Sequence, residues 1–298
     1  MKEKNDFLDQ LDEFIPHIEF AQFSGGEPFL IEHYYKILEK ISVLNPNCGI
    51  HIQTNGLVLN NRVKKILGKC KCNIGISLDA TTKEVYEKVR INGNFDRLKN
   101  NLEYFYNYCK ENNTHFSLTF APTNIACYEI PDAIILANKY ETNIFLNVVW
   151  EPINVAIWSM STTELESLYE YYLTIELPQG TPIQQKNSRQ FEHLKNHVLV
   201  WIKQAKEREQ YKKNLEQKEL QELQELLLTN LIDFNKHKLY DWLTDTKIED
   251  AKAHYIDKLN QLNNLDKHLQ KKLTINLLSY PIESTYREVN NYLHLYIY

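Results

Sequence analysis

Phe23-Ser24-Gly25-Gly26-Glu27-Pro28 follows directly on an apolar run that begins at Ile18. Paired glycines let a chain pass close to a small molecule without a Cβ in the way, and a proline ends a strand by withdrawing a donor and fixing its own φ. The hexapeptide therefore reads as a strand tip that presents backbone to the charged end of a metabolite.

Four further stretches share the Ile, Val, Phe and Leu enrichment of Ile18 to Phe23: Gly49 to Thr54, Asn73 to Leu78, His115 to Ala121 and Asn143 to Val149. Helix-like segments with apolar residues at three- and four-residue intervals follow them: Ile31 to Leu44, Asn60 to Leu67, Thr81 to Arg90 with Asp96 to Lys110, Glu129 to Tyr140, and Thr162 to Leu173. The alternation predicts an α/β fold of parallel strands joined by right-handed crossovers. Local punctuation agrees: Asp79-Ala80-Thr81-Thr82 offers N-cap groups with Glu84 close behind, and Asn45-Pro46-Asn47 marks a helix end.

A chain of 298 residues, 43% hydrophobic and 24% charged, is long enough to bury a sizeable core as one large domain or two modest ones. Its net charge of -5 and pI of about 6.1 supply no broad basic field for nucleic acid, so small-molecule or protein partners are expected. No apolar run approaches the roughly 20 residues of a membrane helix, and Met1 to Glu13 is too polar for a signal peptide, which reads as cytoplasmic. Cys48, Cys70, Cys72, Cys109 and Cys127 are odd in number and scattered, so free thiols are expected rather than a disulfide framework.

The second half is built differently, with neither Gly nor Pro between Pro182 and Pro281. Phe191, Leu194, Val198, Trp201 and Ala205 keep a three-four spacing, Lys206 to Glu222 is almost wholly polar, and apolar density returns at Leu223 to Phe234. This predicts a long helix or helical hairpin rather than a coiled coil, because the spacing does not persist over enough heptads. Leu273 to Tyr298, rich in Tyr, Leu and Ile, suits either a helix or edge strands. His193 and His197 share a helix face, but no Glu follows His193 and no third metal ligand is evident.

In a βα array the C-terminal strand ends share one rim, where ligands bind. Here that rim carries Ser24-Gly25-Gly26-Glu27-Pro28, Gln53-Thr54-Asn55-Gly56 and Ser77-Leu78-Asp79, followed by Arg90 and Ile91-Asn92-Gly93-Asn94-Phe95-Asp96. In this order the segments resemble the radical S-adenosylmethionine (radical SAM) superfamily, over roughly Phe14 to Pro152. Trp150 to Tyr172 resembles the continuation found in the twitch-containing branch.

The resemblance implies an incomplete parallel (β/α) barrel of about five strands over residues 1–176, with a mainly helical extension over 177–298. It implies that the turn at Gly25, Gly26, Glu27 and Pro28 receives the methionine amino group of SAM through backbone carbonyls, which suit an ammonium. Ser77 and Arg90 would hold the methionine carboxylate, Arg90 by a charge-assisted contact. Asn55 and Asp79 fall where residues near the methionine or ribose are expected. Members of the family cleave SAM with an electron from a [4Fe-4S] cluster, giving a 5′-deoxyadenosyl radical that modifies a peptide or small-molecule substrate.

That cluster sits on C-x3-C-x2-C after the first barrel strand, and the chain has no such triplet. The first strand and cluster loop are expected to be missing, with Asp6 to Ile15 as the first barrel helix. The chain is then inactive alone, either as a fragment complemented by an amino-terminal piece or as a non-catalytic homologue that binds SAM or a protein.

Overall fold

The computed structural model describes residues 3–238 and 245–293. Strands β1 (Phe20–Phe23), β2 (Gly49–Thr54), β3 (Cys72–Leu78), β4 (Phe116–Phe120) and β5 (Asn143–Leu146) form one parallel sheet in the order β1-β2-β3-β4-β5. Consecutive strands are neighbours throughout, which is the arrangement of a partial barrel. The fold is thus an α/β partial barrel with a helical C-terminal region.

Helix α1 (Glu3–Phe14) precedes β1, and α2 (Glu32–Leu44), α3 (Asn61–Leu67), α4 (Lys83–Val89), α5 (Phe95–Asn112) and α6 (Ile130–Lys139) join the strands. Several elements are shorter than their composition suggests: β1 begins at Phe20 rather than Ile18, and β4 and α6 each lose a residue at either end. β5 stops at Leu146 rather than Val149, and α4 begins at Lys83 because Thr82 is its N-cap, accepting from the Val85 amide.

Strand side chains alternate sharply. Ile50, Ile52, Ile74, Ile76, Leu78, Leu118, Phe120 and Ile144 are buried, as are Leu38, Ile41, Val63, Ile66, Leu98 and Phe105 of the helices. Each such side chain contributes about 1.5–3 kcal/mol on burial. The opposite set, Gln22, His51, Gln53, Asn73, Ser77 and Thr119, is polar and only partly buried or exposed. One face of the sheet is therefore apolar core and the other carries polar groups.

The chain divides into two compact units, residues 1–148 with 174–194, and residues 149–173 with 195–298. In the first, the beginning of α8 (Pro182–Glu216) closes the β5 edge. Asn187, fully buried, donates to Thr142 O at 2.8 Å and Asn138 Oδ1 at 2.9 Å, and accepts from the Ile144 amide at 3.1 Å. An amide side chain does there what another strand would do, satisfying edge backbone.

The second unit contains α7 (Thr162–Leu173), the rest of α8, α9 (Leu220–Lys238), α10 (Asp245–Asn260), α11 (Lys267–Ser279) and α12 (Ile282–Arg287). α9 packs against α10, α11 and α12, and Leu215, Leu223, Leu227, Leu231, Tyr255, Leu262 and Leu277 belong to one apolar cluster there. The Tyr-rich tail is helical over Lys267–Ser279 and again over Ile282–Arg287 and Glu288–Tyr292, with Tyr280 and Pro281 between them, while residues 294–298 lie outside the described residues. No helix among the described residues is long and apolar enough to cross a membrane.

Candidate functional site

The turn after β1 is built on two consecutive left-handed residues, Gly25 at φ 84° and Gly26 at φ 57°. A Cβ on Gly25 would meet nothing within 4 Å. Backbone conformation, not crowding, demands glycine here, and the peptide in front of it is open. Tyr34 fixes the start of the turn by donating its hydroxyl to Ser24 O at 2.9 Å.

Glu27 fixes the end of the turn and is buried. Its carboxylate accepts from the Phe29 amide at 3.2 Å, the Thr54 hydroxyl at 2.6 Å and the Asn55 amide at 2.8 Å. One side chain thereby ties the β1 tip to the β2 tip. Asn55 turns its own side chain back, accepting from the Leu57 amide at 2.9 Å in an Asx turn.

Ser77 lies one residue beyond Ile76, which pairs with Thr54, so it neighbours Asn55 across the rim. Its hydroxyl oxygen accepts from Gln53 Nε2 at 2.9 Å. Gln53 lies flat across Gly75, where a Cβ would fall 2.1 Å from Gln53 Oε1. Beyond Ser77, Asp79 accepts from Arg90 Nε in a half-buried ion pair. The terminal nitrogens Nη1 and Nη2 of Arg90 have no partner among the described residues. Beside this pair, Tyr86 is fully buried, and its hydroxyl has no partner among the described residues.

Glu129 holds the loop that carries Asp79. Buried just before α6, it accepts from the amide and hydroxyl of both Thr81 and Thr82, with the Thr81 amide at 2.6 Å. A carboxylate at the N-terminus of α4 also suits the helix dipole. The eight residues expected at the rim fall on the adjacent tips of β1, β2 and β3 and at the end of α4. Direct hydrogen bonds join Glu27 to Asn55 and Asp79 to Arg90, whereas Ser77 is joined to Gln53 rather than to either pair.

Sequence reading placed Gln53 and Thr54 at the rim without giving them a role, and it passed over Tyr86 and Glu129 as site residues. The Thr54 hydroxyl, between Glu27 and the Gly56 amide, had a signal, since Thr-Asn-Gly is turn chemistry. Glu129 had none, because its partners lie more than 45 residues away.

The cysteines do not fit an iron–sulfur cluster. All five are buried, and the thiols of Cys70 and Cys72 reach only backbone carbonyls, of Leu38 and Cys70. Burial pushes Cys70 up to about 11 and Cys72 further still, the reverse of what a thiolate ligand needs. Among the described residues no group of three His, Cys, Asp or Glu side chains could hold a metal ion.

A five-stranded parallel partial barrel with a glycine-turn rim defines an α/β class that binds ligands at its strand ends. Residues 2–128, less than half of the chain, match the family model described as Radical SAM superfamily. Among curated relatives, the GTP 3',8-cyclase of Staphylococcus epidermidis is 29% identical over 72 residues, 24% of this chain and 21% of that protein. The probable GTP 3',8-cyclase of Methanococcus maripaludis is 30% identical over 82 residues, 28% of this chain and 27% of that protein. The matched stretch thus spans about a quarter of the length of these relatives. A solved structure described as native anSMEcpe with bound AdoMet and Kp18Cys peptide is 17% identical, with a TM-score of 0.38, over 55% of this chain and 51% of that one.

Proposed function

We propose that the rim formed by Gly25, Gly26, Glu27, Pro28, Asn55, Ser77, Asp79 and Arg90 binds the methionine end of SAM. The observation that carries this reading is the state of Arg90: Asp79 takes its Nε and fixes the plane of the guanidinium, leaving Nη1 and Nη2 as an unused donor pair. A planar pair of donors suits a carboxylate. Ser77 still has its hydroxyl proton to give, because its oxygen only accepts from Gln53. The open peptides of the Gly25-Gly26 turn offer carbonyl acceptors for an ammonium. Asp79 acts here as a positioning residue, and Glu27 locks the β1 and β2 tips that carry the turn.

The cysteines described above do not hold a cluster, so the activity proposed for these 298 residues is SAM binding and not SAM cleavage. A cluster-bearing segment from elsewhere would supply the electron that cleaves SAM to a 5′-deoxyadenosyl radical, which would abstract hydrogen from a peptide or small-molecule substrate. On this reading 1–176 is the functional barrel, Trp150 to Tyr172 a twitch-like continuation, 177–298 an extension, and the setting cytoplasmic.

Titration calorimetry of the full chain with SAM tests the proposal. Saturable binding is expected, weakened roughly tenfold or more in Arg90→Ala and only partly restored in Arg90→Lys, which lacks the planar donor pair. No heat of binding, or equal affinity in Arg90→Ala, overturns it.

A further inference from the structure

Within the second unit, α8 and α11 border a cavity of about 570 Å³ lined by Lys212, Glu216, His268, Lys271, Lys272, Ile275 and Asn276. That volume falls in the range of small-molecule sites. The lining holds three lysines and a histidine against the single acidic residue Glu216. This local excess of positive charge stands in a chain whose net charge is -5.

At Lys212 the positive charge is held in place, while His268 and Lys272 are exposed. Lys212 is half-buried and donates to Asn276 Oδ1 at 2.7 Å, with its ammonium over the Tyr280 ring at 5.6 Å. One turn earlier on the same helix, Arg208 is buried, donates to Met160 O at 2.8 Å and lies over the same ring at 5.2 Å. Burial lowers the affinity of Lys212 for its proton, and the nearby Arg208 adds to that, while Glu209 and Glu216 oppose it. None of Lys212, His268, Lys271 or Lys272 has a carboxylate partner among the described residues. A buried or crowded cation without a counter-charge is costly, and an oxyanion entering the cavity relieves that cost.

We infer that this cavity is a binding site for a small multivalent oxyanion, separate from the SAM rim. Lysine ammonium groups are point charges that suit phosphate, and the Asn276 amide nitrogen, free because its oxygen accepts from Lys212, supplies a directed donor. A concave pocket of this size selects a small ligand over nucleic acid, which would need a basic stripe. Phosphoesters and polycarboxylates share the required chemistry.

Calorimetry of the full chain with inorganic pyrophosphate, orthophosphate and citrate tests the inference. Pyrophosphate is expected to bind more tightly than orthophosphate, to weaken with added salt, and to raise the melting temperature. Pyrophosphate binding with silent citrate assigns a phosphoester, and binding of both assigns multivalent anions in general. Lys212→Met and Lys272→Glu should each weaken pyrophosphate roughly tenfold or more, and the exposed position of Lys272 makes its variant the safer test of folding. Arg90→Ala should leave it unchanged. Absence of heat for all three anions at millimolar concentration, full binding in both lysine variants, or loss of binding in Arg90→Ala overturns the site. SAM binding at the rim is measured separately, so either proposal can fail without the other.

Discussion

The rim of the sheet and the face of α8 around Lys212 both gather charged side chains, and they treat them in opposite ways. At the rim the carboxylates are satisfied: Glu27 by two amides and a hydroxyl, Glu129 by two threonines, Asp79 by Arg90. Along α8, Arg208 and Lys212 find carbonyls, an amide and a ring, but no anion of their own. A satisfied buried charge is a structural part, whereas an unsatisfied one is capacity for a ligand. At the rim that capacity is confined to the two outer nitrogens of Arg90 and the open glycine turn.

Removing a satisfied charge should therefore cost most. Glu27→Ala leaves three donors without their acceptor, and denaturant unfolding is expected to show a loss of about 3 kcal/mol. A loss under about 1 kcal/mol would mean that the β1 and β2 tips do not depend on this carboxylate. Arg208→Met strips donors from Trp158 O and Met160 O yet removes a buried cation, so a smaller loss, about 2 kcal/mol, is expected in the same assay. A cost equal to that of Glu27→Ala would erase the contrast between the regions.

Gly26→Ala forces a Cβ into the left-handed region and should cost about 1 kcal/mol while adding almost no clash, since its nearest neighbour would be Ile31 Cδ1 at 3.9 Å. If crowding rather than φ set the cost, Gly75→Ala would be the only one of the two to matter, through displacement of Gln53. The smallest effect concerns pH. Burial holds His51 below its ordinary value of 6.5, so the unfolded chain binds this proton more readily than the folded one. Stability is then undiminished above pH 6.5 and falls as pH drops from there through the lowered folded value. His51→Asn should flatten that part of the stability profile, and an unchanged slope would show that His51 is not its source.

Strand and helix order was legible because each element carries its own period. Ile50, Ile52 and Thr54 alternate with His51 and Gln53, and Leu98, Leu102 and Phe105 recur at helical spacing, so the pattern is contained within each segment. The rim tips were legible for the same reason, since Ser24 to Pro28 and Thr54 to Gly56 declare turns by composition alone. The ends of β5 and α4 were less so, because they depend on how far a neighbouring strand or cap extends. The helical state of the tail was open in sequence, as Leu, Tyr and Ile serve both structures, and packing into the cluster around Leu273, Leu277 and Val289 decided it.

By itself, then, the sequence determined the α/β order, the glycine turn, the absence of a C-x3-C-x2-C triplet and the set of residues that meet at the strand ends. Only the tertiary structure decided which of them clasp one another: Glu27 with Thr54 and Asn55, Asp79 with Arg90, Glu129 with Thr81 and Thr82, Asn187 with the β5 edge. It alone brought Lys212 of α8 and Lys271 and Lys272 of α11 to one cavity. The reason is physical: periodicity and turn chemistry are written in neighbouring residues, whereas a carboxylate or an ammonium finds its partner through space, where chain separation leaves no local trace.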